Sequence, residues 1–320
     1  MEFNYFEVIR PGIYSTFQDI GFKNTQHLGI TTSGVIDPSL FYIANSLLNN
    51  DLNLPMLEFA FQGPKLKLLK GKSKFSITGD VEFKIIKKNE IINGISNRSY
   101  CLNKGDIVDI IRTINSNYGY LAVEGGFAIK ENFHSFSTLT YSSVGPNQGK
   151  KILRNQRINF YKNGNRINKE LKNGLIRKIR KISKVRVLQG PQMNFFMLKT
   201  INKFFESNYI VNKLSNRIGI RIKGSKIFAI KSHNIDSEPV VKGSVQIPGS
   251  GEPIVLMNDH PTIGGYPKIA TVILDDLPLL AQLPIGGNFQ FELISLKHAE
   301  QIFKESWVKL KKQLLEIRTI

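Results

Sequence analysis

The sequence predicts a mainly β protein, built as barrels or sandwiches in two halves, with a few short helices and one helix at its end. Three observations predict it. Short runs rich in Val, Ile and Phe recur along the chain, bounded by Gly, Pro, Asn and Asp. Such runs read as strands and their borders as turns. Turn-and-strand phrases of the first half are echoed in the second: Phe61-Gln62-Gly63-Pro64 by Gln189-Gly190-Pro191, and Gly105-Asp106-Ile107-Val108 by Gly286-Gly287-Asn288-Phe289. A length of 320 residues suits two domains, each able to bury a core. The expected domains are 1–184, which includes a basic tract, and 185–320, which includes the terminal helix.

Taken in order, Phe6-Glu7-Val8-Ile9 reads as a strand closed by Pro11-Gly12. Gln18-Asp19 reads as a turn or as a polar patch on a cleft. Asp37-Pro38 opens the clearest helix: Asp37 can cap free N–H groups, Pro38 suits the first helical position, and Leu40, Ile43, Ala44, Leu47 and Leu48 share one face. Asp37 thus has a structural explanation that needs no chemistry. Leu57-Glu58-Phe59-Ala60-Phe61 alternates, which leaves Glu58 on a wet face or in a site. Strands follow at Leu66–Leu69, Phe75–Thr78, Val81–Phe83 and Ile107–Ile111, and Tyr118–Val123 runs into Gly125-Gly126. In the second half Val185–Leu188 reads as a strand and 192–205 as a helix. The stretch 296–317 is amphipathic through Ile302, Phe303, Leu310 and Leu314, and is expected to pack on the second domain with Trp307 available to a partner.

The net charge of +19 invites a nucleic-acid reading, and its distribution argues against one. Between Lys150 and Arg186 there are 14 Lys and Arg against the single acid Glu170. Few aromatics interleave with these charges and no nucleic-acid motif is present, so the tract reads as a solvated surface and linker. The only cysteine, Cys101, rules out an intrachain disulfide, fits a reducing compartment and reads as a small core residue. Five scattered histidines without paired spacing give no metal site. No secretory leader or membrane-length apolar run is seen, and the expectation is a cytoplasmic protein.

Chemistry concentrates in one loop. Pro253–Met257 leads into Asn258-Asp259-His260-Pro261-Thr262-Ile263-Gly264-Gly265-Tyr266-Pro267, and Ile269–Ile273 leads out. Two glycines would let the backbone reach positive φ and let a ligand approach. Asp259, His260, Thr262 and Tyr266 offer an acid, an imidazole, a hydroxyl and a phenol on a frame stiffened by two prolines. The plain alternative is a well-made turn. Arg217 and Arg221, four apart, would face the same way on a strand and could fork a carboxylate, or could be two surface arginines.

Several of these blocks together resemble one family. Gln246-Ile247-Pro248, Gly251–Met257, Thr262–Ala270, Asp276-Leu277-Pro278 and Ala281-Gln282 look like its signature, as do Thr16–Gly21, Ser33-Gly34 through Asp37, and Leu214–Arg221. The family is that of the 5-oxoprolinase C subunit, also called KipA or allophanate hydrolase subunit 2, and the same module belongs to the carboxyltransferase region of urea carboxylase. The resemblance spans about Phe17 to Ile294. Departures stand at Phe136, Asn216, Ile220, His260 and Pro261, where the family shows Arg, an acid, an aromatic, Arg and Gln.

The resemblance implies two cyclophilin-like β-barrels. It implies a hydrolase subunit that works with a KipI-like B subunit of 5-oxoprolinase and a LamB/YcsF-type A subunit, opening 5-oxoproline to L-glutamate with ATP used at the level of the complex. Two alternatives follow: biotin-dependent carboxyl transfer to urea or a related amide, and a non-catalytic KipA-type regulator that binds a KipI-like partner. The small-molecule substrate would be an amide or lactam. No phosphate-binding GxxxxGK[ST] loop and no Met-Lys-Met biotinylation site occur in the chain. The expected catalytic residues are Asp259, His260 and Tyr266. The expected substrate contacts are Arg217, Arg221, Gln246, Thr262, Gly264, Gly265, Ser33 and Asp37, with Gly264 and Gly265 as oxyanion donors and no metal. Alanine at Asp259 or Arg217 is expected to abolish activity and leave the chain folded.

Overall fold

The computed structural model describes residues 3–162, 168–171, 182–230 and 232–319. Most of the basic tract's linker, at 163–167 and 172–181, therefore lies outside the described residues. The chain divides into two compact units, and the division is not a single cut. Unit 1 comprises Met1–Lys23, Ser33–Lys178 and Lys309–Ile320, and unit 2 comprises Asn24–Thr32 and Ile179–Val308.

Unit 1 holds a six-stranded and a seven-stranded sheet. In the first, Phe3–Arg10 lies between Arg157–Tyr161 and Lys65–Lys70, followed by Ile107–Thr113, then Val81–Ile86 and Ile91–Asn93. In the second the order is Tyr14–Gln18, Met56–Ala60, Tyr118–Val123, Lys72–Thr78, Arg98–Asn103, Lys169–Leu171 and Ile317–Thr319. Alternation puts Phe6, Val8, Leu66, Leu68, Phe75 and Ile77 into one core between these strands. The helix Pro38–Ser46 starts where the sequence places it. The Asp37 carboxylate accepts from the Ser39 and Leu40 N–H groups at 3.2 and 3.4 Å, and Leu40, Phe41 and Ala44 pack with Met56 and Tyr120. Glu58 is on no wet face. It is 1% exposed and accepts from Ile36 N–H and Tyr120 Oη, each at 2.8 Å, while Tyr120 Oη accepts from Asp37 N–H.

Unit 2 is a closed seven-stranded barrel in the order Lys184–Gln189, Lys268–Val272, Ser244–Gln246, Ile254–Leu256, Gly219–Lys223, Tyr209–Val211 and Asn288–Leu293. A parallel pairing of Lys184–Gln189 with Asn288–Leu293 closes it. Its interior carries an aromatic group in which Phe204 stacks on Phe291 at 4.6 Å and Tyr209 sits 5.3 Å from the same ring. The expected helix over 192–205 is split into a short 3-10 turn, Met193–Phe195, and the helix Leu198–Glu206, because Phe196 is extended and buried between them.

Two readings of the chain's second half and its cysteine are corrected. The terminal helix, Leu296–Leu315, belongs to unit 2 only as far as Val308. Its buried residue, Leu310, packs with Ile43, Leu47 and Leu171 of unit 1. Cys101 is half-buried rather than core, with Sγ 3.5 Å from Asn168 Oδ1.

Glu170, the lone acid of the basic tract, secures the outer strands of the second sheet. Its carboxylate accepts from Arg98 Nε at 3.1 Å and from Arg318 Nη2 at 2.8 Å, and these bonds hold its pKa below the ordinary glutamate value. A carboxyl with a lowered folded-state pKa stabilises above its unfolded pKa, and that stability is lost as pH falls through the folded value. Glu170→Gln is expected to lower the melting temperature at neutral pH by a few degrees and to leave it unchanged in acid, where the wild type has already lost the clamp. Thermal melts across pH check this.

Candidate active site

The chemistry-bearing loop has a defined course. Ile254–Leu256 and Lys268–Val272 both pair with Ser244–Gln246, so the loop between them crosses over that middle strand. It leaves beside Gly243, whose N–H donates to Leu256 O at 2.8 Å, and arrives beside Gln246, which pairs with Lys268. A second segment runs alongside: Glu238–Pro239 pairs with Ile263–Gly264, Ile235 N–H donates to Gly265 O at 2.8 Å, and Val240 N–H to Thr262 O at 3.1 Å. The Glu238 carboxylate accepts from Gln192 Nε2 at 2.7 Å and pairs with the buried Lys268 ammonium, which holds the Glu238 pKa down.

Gly264 and Gly265 do not adopt positive φ. Space is what Gly264 supplies: a Cβ there would lie 2.6 Å from Gln246 Nε2 and 3.1 Å from Val240 Cγ1. Pairing with Glu238 and Ile235 also places these residues in a ribbon, which is a different setting from the free pair of donors expected of them.

Arg217 and Asp259 form the centre of the arc. Nε and Nη2 of Arg217 donate to the two carboxylate oxygens at 2.8 and 2.9 Å, with both side chains 3–4% exposed. The backbone repeats the contact, since Asp259 N–H donates to Arg217 O at 2.8 Å and Met257 N–H to Ile218 O at 2.9 Å. Arg217 and Arg221 do not share a face. The strand begins at Gly219, so strand alternation does not reach Arg217, which is buried while Arg221 is exposed. Arg221 pairs with Ile254, at the opposite end of that strand from the arc. Asn216, standing where the family carries an acid, accepts from Ile218 and Gly219 N–H at 2.8 and 3.2 Å and forms the turn.

His260 is fully buried. Its Nδ1 donates to Pro261 O at 2.6 Å, and Nε2 is buried without a hydrogen-bond partner among the described residues. Burial first, then the Lys242 cation, push its pKa below the ordinary histidine value, against the opposing pull of the Pro261 carbonyl and Asp259. The ring is therefore neutral at pH 7, with the proton on Nδ1 and a lone pair on Nε2. Gln246, 5% exposed, likewise has Nε2 without a partner among the described residues. Thr262 is half-buried and Tyr266 is 39% exposed on the outer part of the loop.

Ser33 and Asp37 belong to unit 1, where Ser33 is buried with φ of 47° and Asp37 caps its helix. Unit 1 has its own polar cluster in the Gln-Asp and Ser-x-Ser-Thr blocks. Asp19 accepts from Ser135 Oγ, Ser137 Oγ, Phe136 N–H and Gly21 N–H at 2.6–2.9 Å. Among the described residues no group of three or more His, Cys, Asp and Glu could hold a metal, and no helix is long and apolar enough to cross a membrane. Lys242, half-buried beside Arg217 and His260, is the site neighbour that sequence reasoning missed. A single lysine between Val241 and Gly243 in a lysine-rich chain carries no signal.

The burial of the Arg217–Asp259 fork changes the expected result of removing it. Losing one member strands the other charge in the interior, at a cost of about 3–5 kcal/mol. Arg217→Met and Asp259→Leu are each expected to lower unfolding stability by that order, with the double variant less destabilised than the sum. Urea denaturation of all four proteins checks this.

Comparison with known proteins agrees with the fold. Residues 28–293 match the family model described as carboxyltransferase domain, subdomain A and B. The chain is 30% identical to the 5-oxoprolinase C subunit of Escherichia coli K12, over 92% of each chain. It is 29% identical to the 5-oxoprolinase C subunit of Haemophilus influenzae, over 92% of this chain and 93% of that one. The crystal structure of Kluyveromyces lactis urea amidolyase shares the fold with a TM-score of 0.86 at 23% identity, covering 97% of this chain and 20% of that larger one. The chain thus belongs to the family of the carboxyltransferase domain, subdomains A and B, alongside the C subunits of 5-oxoprolinase.

Proposed function

We propose that this chain is the C subunit of an ATP-dependent 5-oxoprolinase complex, which opens 5-oxoproline to L-glutamate, and that it holds the lactam amide and takes its proton at His260. One observation carries the reading: the buried, neutral imidazole whose Nδ1–H is committed to Pro261 O and whose Nε2 lone pair meets no donor among the described residues. A buried acceptor left unmet costs about 1–3 kcal/mol, which a ligand N–H would recover. A lactam N–H is such a donor. Its carbonyl is an acceptor suited to the unpartnered Gln246 amide. Tyr266 lies on the exposed part of the same loop, with Thr262 half-buried between it and His260 in the sequence, where substrate would arrive.

In this reading Asp259 and Arg217 position His260, and Asp259 does not accept the proton itself. Arg221, Ser33 and Asp37 are not needed for the proton transfer. ATP acts at the level of the complex. The partners are the KipI-like B subunit and the LamB/YcsF-type A subunit, in the cytoplasm. The matched relatives, named as C subunits of 5-oxoprolinase, support a multi-subunit assembly.

The second reading is biotin-dependent carboxyl transfer to urea or another amide. It is favoured by the carboxyltransferase family model and by urea amidolyase of Saccharomyces cerevisiae, 25% identical over 95% of this chain and 17% of that protein. It needs the same proton removed from an amide nitrogen, so His260 keeps its role.

Reconstitution with the A-type and B-type subunits decides between them. Glutamate released from 5-oxoproline only with ATP, and only when this chain is present, is the expected result. His260→Asn is expected to form the complex and lose turnover about 10²–10⁴-fold. The acid limb of the wild-type rate is expected below the ordinary histidine value of about 6.5, because the base is kept neutral. A stable complex that makes no glutamate and carboxylates urea from carboxybiotin would favour the second reading, and one with neither activity a regulator.

A further inference from the structure

The same barrel offers a cation that the foregoing reading leaves unassigned. Val240–Gly243 is stapled to the loop at both ends, by Val240 N–H to Thr262 O at 3.1 Å and by Gly243 N–H to Leu256 O at 2.8 Å. Lys242 therefore sits against the arc 257–261 that carries Asp259 and His260. Lys242 stands in the turn that precedes Ser244–Gln246, with Gly243 at φ of 92°, and Arg217 and His260 are within reach of its charge. Its side chain is half-buried, and no carboxylate pairs with it in an ion pair among the described residues. Its charged neighbour is Arg217, already matched by Asp259. The arc thus holds one more positive charge than its carboxylate neutralises, next to an unpartnered imidazole lone pair.

We infer that Lys242 is the cation against which negative charge develops on the amide oxygen of the substrate while His260 removes the amide proton. This rests on the function proposed above. In the step, the substrate N–H bond breaks and the proton goes to His260 Nε2. The electron pair is shared between nitrogen and oxygen, and the Lys242 ammonium donates to that oxygen. An imidazole is too weak a base to deprotonate an amide unaided, so the step needs a stabilised oxygen. A cation held in a water-poor site supplies it with no reorganisation at the moment of reaction. The arrangement serves any ligand with an N–H next to a C=O, a lactam or a urea.

Burial and the Arg217 charge lower the Lys242 pKa, which gives the role a signature of its own. Protonated lysine is required, so the rate should fall at alkaline pH through a limb below the ordinary lysine value. In the reconstituted assembly Lys242→Met is expected to lower kcat about a hundredfold with KM little changed, the mark of an interaction made in the transition state. Lys242→Arg should restore most of the rate and move the alkaline limb upward, because guanidinium stays charged. In the full chain alone, NMR titration of the His260 ring should show its pKa higher in Lys242→Met than in the wild type, since a repelling charge is gone. Unchanged kcat in Lys242→Met, or a His260 titration indifferent to it, overturns the assignment. If the wild-type assembly itself releases no glutamate, the lactam reading falls. Urea carboxylation lowered about a hundredfold by Lys242→Met would then sustain the assignment, and no such loss would end it.

Discussion

The second barrel depends on one buried ion pair. The Arg217–Asp259 fork joins the turn before one strand to the loop after its neighbour, and side chain and backbone make the same connection twice. A buried pair of this kind adds little net stability over an apolar replacement, because both charges lose water. Its value is geometric. A carboxylate forked by two N–H groups has its plane and position fixed, and so does the residue that follows it. That residue is His260. Its ring is then turned so that Nδ1 meets the Pro261 carbonyl, which decides the tautomer and leaves the lone pair on the other nitrogen.

Unit 1 uses the same means without the cation. Asp19 is saturated by two serine hydroxyls and two backbone N–H groups, and Glu58 receives a backbone N–H and the Tyr120 hydroxyl. Each buried carboxylate is a junction where distant segments of chain converge, from 19 to 135–137 and from 58 to 36 and 120. Carboxylates suit this role because each has about four lone-pair sites, so one residue can satisfy several buried donors at once.

Much of the architecture was legible in the sequence. The run Ile107–Ile111 alternates clearly enough to mark both its strand state and its buried face, Phe75–Thr78 reads as a strand although both of its faces are buried, and Asp37-Pro38 marks a helix start by chemistry that acts within four residues. The composition of the site loop was legible too, with two glycines, two prolines and four functional side chains in ten residues, which a well-made turn would also carry. The state of those side chains was not. Whether Asp259 is a free base or one arm of an ion pair depends on Arg217, 42 positions away. Strand alternation for Arg217 and Arg221 failed because the strand starts two residues later than the pattern assumes. In the sequence Gly264 reads as a positive-φ residue open to a ligand, whereas its φ is not positive and the group against it is Gln246 of the same barrel. Lys242 was hidden by composition, as one lysine in a chain with many.

The placement of Ile317–Thr319 has a consequence for how the protein is made. This strand pairs with Lys169–Leu171 and lies on the outer edge of the sheet that contains Tyr14–Gln18 at its other side. A ribosome emits the N-terminal residues of unit 1 long before residues 309–320 exist, and all of the second barrel is synthesised in between. Unit 1 therefore cannot complete its seven-stranded sheet during its own synthesis. The Lys169–Leu171 edge stays open until residues 317–319 have been made, and an open edge is a template for another chain. The basic tract that flanks this edge gives the nascent chain a repulsive charge where that exposure lasts longest.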